Sequence, residues 1–141
     1  MRVVLDTNVL RSGLLSATGA SREILYLVDE GAITPVVSVP LVLEYEDVLK
    51  RREFLQEIGL SLQEVNAIVD YIIFRAHLQQ INFLWRPFLP DPKDDCVLEC
   101  AVNGRARVIL TFNKRHFPSE HQQFGVAVLT PGEFLRTGGG Y

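Results

Sequence analysis

The stretch that most restricts the fold comes first. Val3, Val4 and Leu5 form an apolar, mostly β-branched run with no polar alternate, and it ends at the carboxylate of Asp6. A strand with one wet face alternates apolar and polar residues. A run without alternation suits a strand covered on both faces, as in a parallel sheet flanked by helices. Asp6 then lies just past the C-terminal end of the strand, where open α/β sheets bind their ligands. Asp6-Thr7-Asn8 also has the composition of a helix start, because short polar side chains cap free amide groups. This stretch alone leaves both readings open.

The chain continues as strands alternating with helices. A short helix over Val9 to Leu15 is expected to be interrupted at Gly13, and Ser16 to Gly19 reads as a loop. A second helix runs from about Ser21 to a stop at Gly31. Ile33 to Val37 reads as a strand in which Pro35 favours an edge or a strand start. Ser38 caps the next helix, with Pro40 in its first turn. Glu44 and Glu46 flank the apolar stripe of that helix, and periodicity does not choose between them.

Ser61 and Glu64 form a capping-box pattern ahead of a long amphipathic helix with Val65, Ile68, Val69, Ile72 and Ile73. Ile81 to Trp85 reads as extended before Pro87 and Pro90 break the chain. Asp91 and Pro92 fit the cap and first position of another helix. At about 100° per residue, Asp94 falls within the stripe of Val97, Leu98 and Ala101. Asp95 lies to one side, where exposure is expected. Arg107 to Thr111 reads as a buried strand leaving through Phe112-Asn113, and Val126 to Leu129 as a last strand. Thr130 caps a final helical turn through Phe134 and Leu135.

This order predicts a three-layer α/β/α domain with a mostly parallel central sheet over residues 1–137, followed by a mobile tail over 138–141. A chain of 141 residues is long enough for one such core. No apolar run reaches the roughly 18 residues of a membrane span. No secretory leader precedes the first strand, so the cytosol is the expected location. Cys96 and Cys100 share one helical face without the partners of a zinc site, and read as buried thiols. The net charge of −3 gives no general attraction to nucleic acid, so an anionic partner needs local cations.

Two carboxylates stand out. Asp6 lies off a strand end, and Asp94 lies on an inward helical face, where a carboxylate is costly unless paired, capped or coordinating. The competing reading of Asp94 is the third position of a capping box, reaching back to the Asp91 amide. His77, His116 and His121 have no spacing that suggests a nucleophile and base, although His116 is close in sequence to Thr111.

Four blocks in order resemble the PIN-domain family, and specifically its VapC-like toxin components: Val4-Leu5-Asp6-Thr7-Asn8, Val37-Ser38 leading to Glu44 through Leu49, Asp91 through Ala101, and Val108 through Asn113. The resemblance implies a metal-dependent ribonuclease that leaves a 3′-hydroxyl and a 5′-phosphate. It implies Asp6, Glu44 and Asp94 as ligands of Mg²⁺ or Mn²⁺, with Asn8 and Thr111 in support, and it selects Glu44 over Glu46. It also implies a cognate antitoxin and a homodimer, for which the helix after Ser61 is a candidate contact. Many relatives carry a further acid at or just after the position of Asn113. Here that stretch is Asn113-Lys114-Arg115-His116, so Asn113 is expected in a lesser catalytic role, binding a metal-bound water without supplying charge, and a second metal site is not expected. Arg11, Arg51, Arg52, Lys114 and Arg115 are candidate contacts for single-stranded RNA. One alternative is a non-catalytic RNA-binding PIN domain lacking its fourth acid. Another is a phosphatase of the haloacid dehalogenase type, which wants Asp where Asn8 stands.

Overall fold

The computed structural model describes residues 1–81, 92–117 and 125–138, and of residues 92 and 93 the backbone alone. Its strands are β1 (Arg2–Leu5), β2 (Thr34–Val37), β3 (His77–Leu78), β4 (Val108–Leu110) and β5 (Ala127–Leu129). They form one parallel sheet in the order β3-β2-β1-β4-β5. The described helices are α1 (Thr7–Leu15), α2 (Ala20–Glu30), α3 (Val39–Leu49), α4 (Arg52–Ile58), α5 (Leu62–Arg75), α6 (Pro92–Asn103) and α7 (Pro131–Arg136). None of them is long and apolar enough to cross a membrane.

The unalternated run forms the central strand. Val3, Val4 and Leu5 are 0% exposed, and so are Val108, Ile109 and Leu110 of the neighbouring β4. Helix α6 packs over β1, β2 and β4, and α5 packs over β2. Helix α2 packs against α1 and α7, and α7 against β5. The helix starts follow local chemistry. Ser38 accepts from the Leu41 amide at 3.3 Å, and Ser61 with Glu64 and Thr130 with Glu133 each close a reciprocal capping box. Cys96 and Cys100 are buried free thiols. Burial pushes the Cys100 thiol up to about 12, so it stays protonated and donates to the Val36 carbonyl at 3.4 Å.

Three local expectations are corrected, and two elements were not anticipated. Gly13 does not interrupt the first helix; α1 runs through it, and the missing side chain lets α2 approach closely. Pro35 is neither at a sheet edge nor first in its strand, because β2 lies between β3 and β1. Thr34 donates its amide toward β1, to Met1 O at 2.9 Å, so position 35 faces the β3 side. There β3 pairs only with Val36 and Val37, and the missing proline amide has no acceptor to lose. Helix α4 and strand β3 were not anticipated. Seven and two residues are too few to establish a period, although α4 buries Phe54 and ends at Gly59 in the left-handed region, φ 70°. Asp95 is 1% exposed, against the expectation of exposure. Every residue from Asp94 to Ala101 is buried, so α6 has no wet face along that length. The cap expected at Asp91, the extended stretch from 82 to Trp85, Pro87, Pro90, His121 and residues 139–141 lie outside the described residues.

Gly104 closes α6 against the sheet. A Cβ there would stand 2.4 Å from Val36 Cγ1 and 2.9 Å from the Cys100 carbonyl. Neither neighbour yields easily, one being a β-branched strand residue and the other backbone. At Gly13 the nearest atom is the tip of Leu25, 2.7 Å away, which can rotate aside. Gly104→Ala is therefore expected to cost about 1–3 kcal/mol, and Gly13→Ala less. Urea unfolding of the two variants checks the order, and equal midpoints would contradict it.

Candidate active site

The strand order has one point where the chain turns from one side of the sheet to the other. From β1 the chain proceeds outward to β2 and β3, then crosses to β4 on the opposite flank of β1. Neighbouring connections diverge at the C-terminal ends of β1 and β4 and leave a crevice there. Leu5 pairs with Leu110, so the next residues on each strand, Asp6 and Thr111, face one another across it.

Asp6 serves as both strand exit and helix cap. Its amide donates to the Leu110 carbonyl at 2.9 Å, extending the β1–β4 ladder, and its carboxylate accepts from the Thr7 amide at 2.8 Å. Thr111 Oγ1 donates to Asp6 Oδ2 at 2.7 Å. Asn8, the second residue of α1, donates from Nδ2 to Asp6 Oδ2 at 3.3 Å and to Thr111 Oγ1 at 3.4 Å, while its Oδ1 accepts from the Phe112 amide at 3.3 Å. The Asn113 amide donates to Thr111 Oγ1 at 3.0 Å. Burial raises the Asp6 pKa, and the bonds from Thr111 and Thr7, the nearby His116 and the bond from Asn8 each act in the other direction.

Asp94 enters from the first turn of α6 and is 7% exposed. His116, in a 3₁₀ turn over Lys114–His116, brings its Nδ1 to 3.2 Å from Asp94 Oδ2. Its charge also acts on Asp6, in the direction that favours the ionised carboxylate. Sequence proximity to Thr111 was the one sign of that role. Glu44 is half-buried on α3, immediately before Tyr45. The buried Tyr45 hydroxyl donates to the Leu5 carbonyl at 2.5 Å and ties this turn of α3 to the end of β1. Burial raises the phenol pKa well above its usual value, and nearby Cys100, Asp6 and Cys96 act the same way, so it remains a donor. Glu46 instead reaches Lys50 along its own helix, at 3.7 Å. Glu99, one turn after Asp95, is a further buried acid at 1% exposure that the pattern of α6 did not single out.

The candidate basic contacts separate into two groups. Arg11 pairs with Glu57 at 3.1 Å and lies over the Phe54 ring, Arg51 pairs with Asp47 at 2.8 Å, and Lys114 meets both oxygens of Glu133 at 3.0 Å. Arg52 and Arg115 are exposed and make no ion pair among the described residues. Among the described residues no group of three or more His, Cys, Asp or Glu side chains is arranged to hold a metal ion. The donor chemistry nonetheless fits a hard cation. Mg²⁺ commonly takes one or two protein carboxylates and completes its shell with water and substrate phosphate, without an all-protein cage.

Residues 2–115 match the family model described as PIN domain, a span that includes β1, α1, α3, α6 and β4 and ends just before His116. No curated protein matches the chain.

Glu133 connects the rim to the last helix. Its carboxylate accepts the Thr130 amide and pairs with Lys114, and these bonds pull it from 4.5 down to about 2. A lowered carboxylate pKa adds stability that is present above pH 4.5 and lost as pH falls toward about 2. Glu133→Gln is expected to flatten the decline of Tm across that window. Tm measured against pH reads this, and parallel declines for both proteins would refute it.

Proposed function

The chain belongs to the PIN-domain family, whose members are generally nucleases that use divalent metals, and from that premise we propose that it is a Mg²⁺- or Mn²⁺-dependent endoribonuclease and the toxin of a toxin–antitoxin pair. The observation that carries the reading is Asp6, held by Thr111 and Asn8 at the crevice between β1 and β4, together with the enclosed Asp94, which His116 contacts from the turn that follows β4. A carboxylate whose charge is disfavoured by burial gains from a bound cation, and a second enclosed carboxylate gains in the same way.

Asp6 and Asp94 would hold the ion through oxygen, with Glu44, the third acid that the resemblance implies, reaching it directly or through a bound water. It would supply Lewis-acid stabilisation of charge building on the scissile phosphate. Thr111 and Asn8 hold the Asp6 carboxylate in one orientation, and α6 with its His116 contact holds Asp94. Asn113 offers an uncharged amide where many relatives carry an acid, which favours one ion over two. Single-stranded RNA is the proposed substrate, with Arg11, Arg51, Arg52, Lys114 and Arg115 as its contacts. Arg52 and Arg115 lead that set, because they need not give up an ion pair to meet a phosphate. A second copy of the chain is proposed against α5, where Phe74 is 80% exposed, and the antitoxin is proposed as the other protein partner.

The test is cleavage of a panel of single-stranded RNAs with Mg²⁺, with Mn²⁺ and with EDTA. Chelation and Asp94→Asn are each expected to abolish cutting. Thr111→Val, which removes the bond that orients Asp6, is expected to cost about 10–100-fold. A folded protein that binds RNA and cuts none of it with either metal would overturn the nuclease reading in favour of a binding module.

A further inference from the structure

Strand β4 and the residue after it are buried without a break: Val108, Ile109, Leu110 and Thr111 are all 0% exposed. The next side chain is Phe112, and it is 47% exposed. A solitary exposed aromatic is ordinary on a protein surface. This one differs in its attachment. Its amide donates to Asn8 Oδ1 at 3.3 Å, and the same Asn8 side chain donates to Asp6 Oδ2 at 3.3 Å. On either side of it, the Thr111 hydroxyl and the Asn113 amide are joined at 3.0 Å. Phe112 therefore projects from a backbone held by the same hydrogen bonds that hold the candidate catalytic carboxylate. An aromatic ring on an ordered backbone loses little freedom when a flat partner settles on it.

The neighbourhood is matched to a nucleotide strand. Arg115, three positions further along, is exposed and makes no ion pair among the described residues, whereas Lys114 between them is engaged with Glu133. An exposed ring and an exposed cation three residues apart on one segment suit a base and a phosphate of the same strand. Every base has a π-face, but in a duplex those faces are covered, so a stacking ring selects unpaired strands.

We propose that Phe112 is a stacking platform for an unpaired base of the substrate strand and sets which phosphodiester lies against Asp6 and Asp94. The inference rests on the nuclease reading above and adds the residue that would make it specific for single strands. Phe112 is a specificity residue in this scheme. It moves no proton and breaks no bond; it fixes the strand so that the phosphate beside the stacked base meets the carboxylates.

The experiment uses a short single-stranded RNA carrying 2-aminopurine, titrated with the full chain in EDTA so that nothing is cut. Stacking quenches the 2-aminopurine emission. Wild type is expected to quench it, and the same strand in a duplex is expected to escape quenching. Phe112→Ala and Phe112→Leu should lose the quench and bind about ten-fold more weakly, while Phe112→Tyr should keep both. With Mg²⁺ restored, KM should rise in the Ala and Leu variants more than kcat falls. Circular dichroism of each variant verifies that the fold is kept. Quenching and affinity unchanged in Phe112→Ala, with cleavage by the wild type intact, would overturn the stacking role and leave the nuclease standing. A wild-type chain that neither binds nor cuts single-stranded RNA would overturn both.

Discussion

The hydrogen bond from the Thr111 hydroxyl to the Asp6 carboxylate, 2.7 Å long, is the contact on which the site depends. A hydroxyl has one hydrogen to give and two lone pairs to receive. Thr111 uses its hydrogen on Asp6 and its lone pairs on the Asn113 amide and the Asn8 side chain. One buried atom thereby fixes the end of β1, the start of α1 and the exit of β4 relative to each other. The parallel pairing of β1 with β4 brings these ends level, and the hydroxyl closes the gap that the diverging connections leave between them.

The electrostatics follow from that closure. Asp6 is taken far enough from water that its ionised form is disfavoured, and three donors with a nearby imidazole only partly offset the loss. Asp94 is more enclosed still, at 7% exposure, and the same imidazole stands 3.2 Å from it. The chain thus holds negative charge at a place where burial penalises it, which is a common signature of a functional site. Among the candidate basic contacts, three of the five are matched: Arg11 with Glu57, Arg51 with Asp47, Lys114 with Glu133.

Much of the fold was legible in the sequence because its causes are local. Val3 to Leu5 lack a polar alternate, so a strand covered on both faces follows from the residues themselves. Ser38, Ser61 and Thr130 start helices because a hydroxyl two or three positions ahead of a free amide is a short-range fact. The same reasoning failed where the cause lay far along the chain. Pro35 sits inside the sheet because its partner strand β3 is too short to reach it. Gly13 continues a helix because Leu25 and Ser21 need the space. Asp95 is buried because α6 is enclosed on all sides over that turn, and a helical wheel built on one apolar stripe assumes a wet opposite face.

The site divides along the same line. That Asp6 ends a core strand and caps a helix, and that Asp94 points inward on another, follows from the residues alone, since both depend on spacing within about a turn or strand. Only the tertiary structure decided that Thr111 would face Asp6, that His116 would reach Asp94, and which arginines would remain outside ion pairs. Those outcomes depend on strand order and register, which bring together residues more than a hundred positions apart in the chain, Asp6 and Thr111 among them. No local pattern encodes such a separation; it emerges only when the whole apolar core closes around β1.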